Sequence, residues 1–343
     1  MRVLELDGAK GEGGGQVLRS ALALSLVTGA PFRIVNFRAG RKRPGLMRQH
    51  LTAVEAAAAI GGARVEGAEI GARAVTFHPG PVRAGDWRFS VGTAGSATLV
   101  FQTVFPALAL AGGPSTITVE GGTHNPMAPP FDFLARAFLP LVERMGPRCA
   151  ATLERPGFYP AGGGRFRVAI EPAPRFGRLE LLERGAIQAR RATAVVALLG
   201  RAIAERERAE LRRRLGWEPA WLRIEHAKDA VGPGNVVTAE VESEHVTEVF
   251  TGFGERGVSA ERVGAGVADE VAAYLAAGVP VGTHLADQLV LPMALGGGGV
   301  FRTLAPSGHT RTHLELLRAF LSVEAQVRQV SEQVFEIEVP GRG

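Results

Sequence analysis

The chain has 343 residues, 46% of them hydrophobic and 21% charged, which fits two or three packed domains, or one domain carrying an insertion, and argues against disorder. One cysteine, Cys149, excludes an internal disulfide framework and any zinc site built on a cysteine cluster. No run nears the roughly 18 apolar residues of a membrane helix, and the start, Met1 to Asp7, alternates like a strand without the apolar stretch and cleavage site of a signal peptide. The expectation is a soluble, cytoplasmic protein. The net charge is +5, with 39 basic residues against 34 acidic. Only Lys10, Lys42 and Lys228 are lysines, so arginine carries the positive charge. Genome composition explains that bias, yet arginine also recognises phosphate in a bidentate way, which keeps anionic substrates in view. Glycine contributes 45 residues, which implies many tight turns or backbones passing close to a ligand.

In chain order the pattern repeats three times. Each copy reads as a Gly-rich turn, an apolar helix, a strand, a polar loop and a second helix. In copy one the turn is Gly11–Gln16, the helix Val17–Val27, the strand Phe32–Phe37, the loop Arg38–Gly45 and the second helix Leu46–Ile60. Copy two has the turn Gly92–Ser96, helix Ala97–Leu110, strand Thr116–Glu120, loop Gly121–Pro130 and helix Phe131–Met145. Copy three has the turn Thr283–Gln288, helix Leu289–Leu295, strand Val300–Thr303, loop Leu304–Thr310 and helix Arg311–Leu321. Strands near Ala325–Val330 and Val334–Val339 close it. The longer offset before copy three predicts a smaller inserted α/β domain over 183–278, with 1–182 plus 279–343 as the main body. Within the insert the pattern predicts strands at Ala186–Ala194, Leu222–His226, Asn235–Glu242 and Thr247–Gly252, and helices at Arg201–Leu215 and Ala260–Ala276. The fold class is α/β (α+β): three pseudo-symmetric units and an insert. If the units stack about a pseudo-threefold axis, their loops converge: Arg38, Arg41, Lys42 and Arg43 from copy one, Thr123, His124 and Asn125 from copy two, and Ser307 to Thr310 from copy three. That combination points to a phosphate-handling site.

The turn Gly11-Glu12-Gly13-Gly14-Gly15-Gln16 leads into a helix bearing Arg19. Free N–H groups at a helix start bind anions, although a flexible turn needs the same glycines. Glu12 is misplaced in an anion site unless it holds a cation, and Mg²⁺ bridges one or two carboxylates to phosphates. No Walker A sequence is present. The run from Arg38 to His50 carries five cationic side chains, read either as a solvated face or as a phosphate site. His309 and His313 are four apart, a spacing compatible with metal ligation, but without a third ligand in the sequence. His309 follows Pro306-Ser-Gly at a helix mouth, where a neutral imidazole can act as nucleophile or general base. Asp287 reads as a helix cap, and Cys149 as packing.

Taken in order, several motifs resemble the RNA 3′-terminal phosphate cyclase family. They are Gly11-Glu-Gly-Gly-Gly-Gln-Val-Leu-Arg19-Ser, Arg38-Ala-Gly-Arg, Arg48-Gln-His-Leu-Thr, Gly92-Thr-Ala-Gly-Ser, Gly121-Gly-Thr with Asn125-Pro, Gly157-Phe-Tyr-Pro-Ala-Gly-Gly-Gly164, His284-Leu-Ala-Asp-Gln-Leu and Pro306-Ser-x-His309. The resemblance covers essentially the whole chain. It implies an architecture similar to the enolpyruvyl transferases. It also implies ATP-dependent conversion of an RNA 3′-phosphate to a 2′,3′-cyclic phosphodiester through a covalent histidine–AMP and an adenylated RNA end. By the resemblance His309 is the nucleophile. Gln102, Pro130, His284, Leu285, Ala286, Asp287 and Gln288 contact ATP. Arg19, Arg38 and Arg41 grip phosphates, with Gln49 and His50 behind them, and Glu12 holds a divalent metal, Mg²⁺ or Mn²⁺. RNA with a 3′-phosphate end is the implied partner, no membrane is involved, and a homodimer is compatible. The chain departs from the pattern at Gly308, where Cys or another small residue is expected, at His313, where Asn is expected, and at His284, often Tyr. Three other functions compete: a non-catalytic cyclase-like RNA-processing or assembly factor, an enolpyruvyl transferase, and a sequence-nonspecific RNA-binding module. The first lacks the nucleophilic histidine, the second has no use for it, and the third wants a clustered aromatic platform that is not seen.

Overall fold

The computed structural model describes residues 2–342. The first unit comprises β1 (Leu4–Asp7), α1 (Gln16–Thr28), β2 (Phe32–Val35), α2 (Arg48–Gly61), β3 (Arg64–Glu66) and β4 (Val75–His78). Its sheet runs β1-β2-β4-β3, with β1 parallel to β2 and the rest antiparallel. A parallel neighbour needs a crossover, and α1 supplies it. The second unit repeats this with β5 (Asp86–Ser90), α3 (Ala97–Leu108), β6 (Ser115–Gly121), a helical run and then β7 (Arg148–Arg155) and β8 (Gly164–Glu171). The run is α4 (Phe131–Phe133), a π-helical turn at Leu134–Phe138, and α5 (Leu139–Glu143).

The third unit is split. Its first strand, β9 (Leu179–Leu181), lies parallel to β14 (Gly299–Thr303), far along the chain. Between β9 and the unit's first helix come β10 (Ile187–Ala197), α6 (Ala202–Leu215), β11 (Leu222–His226), β12 (Gly234–Ser243), β13 (Thr247–Phe253) and α7 (Ala260–Ala277). These form their own sheet, β11-β10-β12-β13, and their own core around Val196, Val237, Val271 and Tyr274. The unit then resumes with α8 (Thr283–Ala294), β14, α9 (Gly308–Leu321), β15 (Gln326–Gln329) and β16 (Phe335–Val339), in the order β15-β16-β14-β9. The body is thus three copies of one βαβαββ sheet pattern, with the inserted segment carried in the third.

One apolar core joins the three units. Helices α1, α3 and α8 are apolar nearly all round and are buried, whereas strands such as β5 and β7 alternate, leaving one sheet face to solvent. Two expectations about copy three need correction. Its first helix starts at Thr283 rather than Leu289, and its second at Gly308 rather than Arg311. Ser307 is the cause in the second case: its extended backbone and its hydroxyl, which accepts the Thr310 N–H at 3.0 Å, cap the helix early. His284 to Gln288 therefore stand in the first two turns of their helix and His309 in the first turn of its own, not in loops.

Candidate active site

The Gly-rich turn of the first unit lies against the start of α9 in the third. The Glu12 N–H donates to Thr312 Oγ1 at 3.3 Å. Gly11 has φ +62°, and a Cβ there would fall 2.6 Å from that oxygen, so glycine is required on both counts. Glu12 then sits between a cation and a histidine. Arg41 Nη2 donates to its Oε1 at 2.6 Å and to its carbonyl at 2.9 Å, and His309 Nδ1 lies 3.7 Å from Oε2. His309 Nδ1 is buried without a hydrogen-bond partner, while the side chain as a whole is 41% exposed. The ring thus turns Nδ1 toward Glu12 and leaves Nε2 as its outward nitrogen.

Asp287, on α8, is buried and holds the first turn of α9. Its Oδ1 accepts the hydroxyls of Ser307 and Thr310, both at 2.5 Å. Burial pushes its pKa upward, against the pull of those two hydrogen bonds and of His309 and His284. It does not cap its own helix, which begins at Thr283 with Gly282 in the cap position, so the cap reading of Asp287 is corrected: it secures the turn that presents His309.

Arg19 and His50 lie beneath the start of α1. A Cβ on Gly15 would come within 2.5 Å of His50 Nε2 and 2.6 Å of Arg19 Nη1. His50 Nδ1 accepts the Met47 N–H at 3.1 Å, which leaves the proton on Nε2. Desolvation, with Arg19 and Arg38 nearby, holds its pKa down at about 3, so it is a neutral donor. Burial also lowers Arg19 to about 10, partly offset by Glu12. Arg38 is engaged differently: its Nη1 donates to the carbonyls of Arg43, at 2.9 Å, and Gly45, at 3.3 Å, so it braces its own loop.

Gln102 and Gln288 occupy the sixth position of α3 and α8, and Gln102 Nε2 donates to Gln288 Oε1 at 2.6 Å. His284 is exposed, whereas Leu285 and Ala286 turn into the core and can offer only backbone. Pro130 is buried at the start of α4 and shows little surface to an adenine. Gln49 accepts the Ser96 N–H at 3.1 Å, joining α2 to the start of α3. The second unit's loop does not share in the Glu12–His309 contacts: His124 is held between Asp132, at 2.9 Å, and Thr123, at 2.8 Å. The expected threefold convergence is thus a convergence of the first and third units.

His313 is no metal partner for His309. It is buried, its Nε2 lies 2.6 Å from Gln16 Nε2 and 2.7 Å from Ser20 Oγ, and desolvation lowers its pKa to about 4. Among the described residues no group of three His, Cys, Asp or Glu side chains is placed to hold a metal. Burial pushes the Cys149 thiol up to about 12, consistent with packing. Sequence reading missed Thr312, Gln16 and Ser20. The signal for Thr312 was its spacing on the His309 helix, four residues after Gly308, whose carbonyl its hydroxyl also binds at 2.8 Å.

A three-unit βαβαββ body, with a histidine, a carboxylate and arginines gathered where two helices start, defines an α/β protein built to handle phosphate esters. Residues 10–327 match the family model described as RNA 3′-terminal phosphate cyclase. The chain belongs to the RNA 3′-terminal phosphate cyclase family and is an enzyme of that class. It is 52% identical over 329 residues to the RNA 3′-terminal phosphate cyclase of Koribacter versatilis, covering 96% of this chain and 93% of that one. It is 53% identical over 326 residues to that of Ralstonia nicotianae, covering 95% and 93%. The protein of the same name from Pseudomonas fluorescens is 50% identical over 336 residues, covering 98% and 97%. A weaker likeness, TM-score 0.38 at 11% identity, extends over 100% of this chain and 49% of the enolpyruvyl transferase NikO from Streptomyces tendae. Among the described residues no helix is long and apolar enough to cross a membrane.

Proposed function

We propose that this chain uses ATP to convert an RNA 3′-phosphate into a 2′,3′-cyclic phosphodiester, with His309 as the covalent nucleophile. His309 Nε2 attacks the α-phosphorus of ATP, a P–N bond forms, and pyrophosphate leaves with the electron pair of the broken P–O bond. An oxygen of the RNA 3′-phosphate then takes the AMP and frees the histidine. The vicinal 2′-hydroxyl attacks the 3′-phosphorus, loses its proton, and expels AMP. A phosphate monoester has no good leaving group, and adenylation supplies one; the covalent intermediate divides a hard step into easier ones. The observation that carries this reading is the presentation of His309: Nδ1 toward Glu12, Nε2 outward, and its turn fixed by Asp287.

Arg19 and Arg41 would oppose charge on the transferring phosphoryl group, and the neutral Nε2–H of His50 would donate to a phosphate oxygen. Gln102 and Gln288, already paired, with exposed His284, would line the nucleoside side. Glu12 fits a divalent ion as a single protein ligand, since its Oε2 makes no hydrogen bond, and the remaining positions would fall to phosphate oxygens and water. Such an ion would draw charge from the phosphate oxygens.

The test is incubation with α-³²P-ATP and Mg²⁺, followed by denaturing electrophoresis, for wild type and His309→Ala. Acid-labile, alkali-stable label on wild type alone is the expected result. Unlabelled wild type that still binds ATP would replace this reading with a non-catalytic RNA-processing factor.

A further inference from the structure

A cleft of about 1270 Å³ lies between the three-unit body and the inserted segment. It is separate from the ATP-side glutamines, and neither His309 nor Glu12 lines it. We propose that it seats the single-stranded RNA leading up to the 3′-phosphate, so that the insert is part of the substrate site. This rests on the reading of the reaction given above.

The cleft joins the phosphate site through one turn of helix. Arg48 and Gln49 line it, while the next residue, His50, turns its Nε2 to Gly15 and Arg19. A 3′-phosphate held at Arg19 and His50 therefore places the preceding nucleotides along the start of α2 and into the cleft. The walls suit that polymer in charge. Arg48 comes from the body, Arg206 and Arg256 from the insert, and Glu255 is the single acid among the lining residues. The starts of α2, α6 and α7 border it, adding partial positive charge. The walls also offer stacking surface: Tyr159, from the body, is 69% exposed, and Phe253 lines the cleft from the insert. Alternating cations and aromatic faces are how proteins hold single strands without reading sequence. The volume exceeds the roughly 300–1,000 Å³ of pockets for small ligands, which favours a chain of nucleotides over a mononucleotide.

The test compares wild type with the double variant Arg206→Glu, Arg256→Glu and with Tyr159→Ala, on a twelve-nucleotide RNA 3′-phosphate and on a mononucleoside 3′-phosphate. Formation of the His309–AMP label from ATP alone should be unchanged in both variants. KM for the twelve-mer should rise about tenfold or more, as expected for lost stacking or phosphate contacts, with the mononucleotide unaffected. For the double variant the salt dependence of twelve-mer binding should become shallower by roughly 1.4 in log–log slope, about 0.7 per single-strand phosphate contact. Equal effects on both substrates, or none, would overturn the proposal, as would a cleft serving a protein partner, which leaves RNA kinetics untouched. Should the double variant fail to fold, 4-thiouridine next to the 3′-end of the twelve-mer, cross-linked to wild type, is expected at Tyr159 or Phe253; a cross-link confined to other surfaces overturns the placement. Loss of the AMP label in wild type would instead strike the reaction itself.

Discussion

At the residue scale the site depends on groups with no chemistry of their own. Gly15 leaves room for Arg19 and His50 where any Cβ would collide with both. Gly15→Ala meets no backbone strain, because its φ of −74° suits any residue, but it must push the buried His50 ring aside and should cost about 1–3 kcal/mol of stability, read as a lowered melting temperature. It should slow His309 adenylation at least about tenfold, the cost of roughly 1.4 kcal/mol in misplaced phosphate contacts. An unchanged labelling rate would show that these two side chains do not meet the phosphates. Asp287 is a positioning residue of the same kind. Asp287→Ala strands two hydroxyls, costing about 1–3 kcal/mol of stability. Asp287→Asn keeps an acceptor and should restore most of the stability and of the labelling. If Asn is as damaging as Ala, the carboxylate acts on substrate rather than through α9.

At the element scale the insert is fastened to the body where the body's third unit resumes. Glu248 on β13 is buried, and its Oε2 accepts the Gly282 N–H at 2.6 Å, just before α8. Arg136 of the π-helical turn adds a 2.6 Å bond to Glu240 on β12. Burial raises Glu248 to about 8 and Glu207 to about 7, from 4.5. For a raised carboxyl the folded state binds the extra proton, so its stabilisation is complete below pH 4.5 and is lost as pH climbs through the folded value. Buried His50 and His313 act in the opposite sense, destabilising only as pH falls below 6.5. Above pH 6.5 the carboxyls act alone, and thermal stability should decline toward pH 8. Glu207→Gln cannot ionise and should flatten that decline. Melting temperatures at pH 6.5, 7.5 and 8.5 decide it; parallel slopes in the two proteins would exclude Glu207 as a source.

At the scale of the whole molecule, the body and the insert each have a principal apolar core, joined by a small cluster of Phe158, Ala197, Ala230 and Val236 and by Val249 of β13, which packs in the body's core; the insert core is expected to open first. Leu211 is 1% exposed within the insert core. Leu211→Ala should cost about 2–5 kcal/mol there and raise amide exchange in β10–β13, α6 and α7 before it does so in α1, α3 and α8. A uniform rise would mean that the latch at Glu248 makes the chain one unit.

Much of this was legible along the chain. The apolar helices, the strands of the insert and the order of motifs follow from local periodicity and glycine placement, because a helix or strand buries its apolar face wherever it lies. His309, Glu12 and Asp287 stood out by residue type in context. The three-residue β9 was not legible, since Leu179–Leu181 is too short to show a period and finds its partner β14 only after the insert. Nor was the bracing role of Asp287, the loop-holding role of Arg38 or the tie from Glu12 to Thr312, each a contact set by distances through space. The sequence by itself determined the family, the three-unit pattern and the reactive groups, for these reside in residue identity and spacing. Tertiary structure alone decided which loops meet, which nitrogen of His309 faces outward, and that a cleft bearing Arg48, Arg206 and Arg256 opens between the body and the insert, because hydrogen bonds and desolvation depend on neighbours that chain order does not specify.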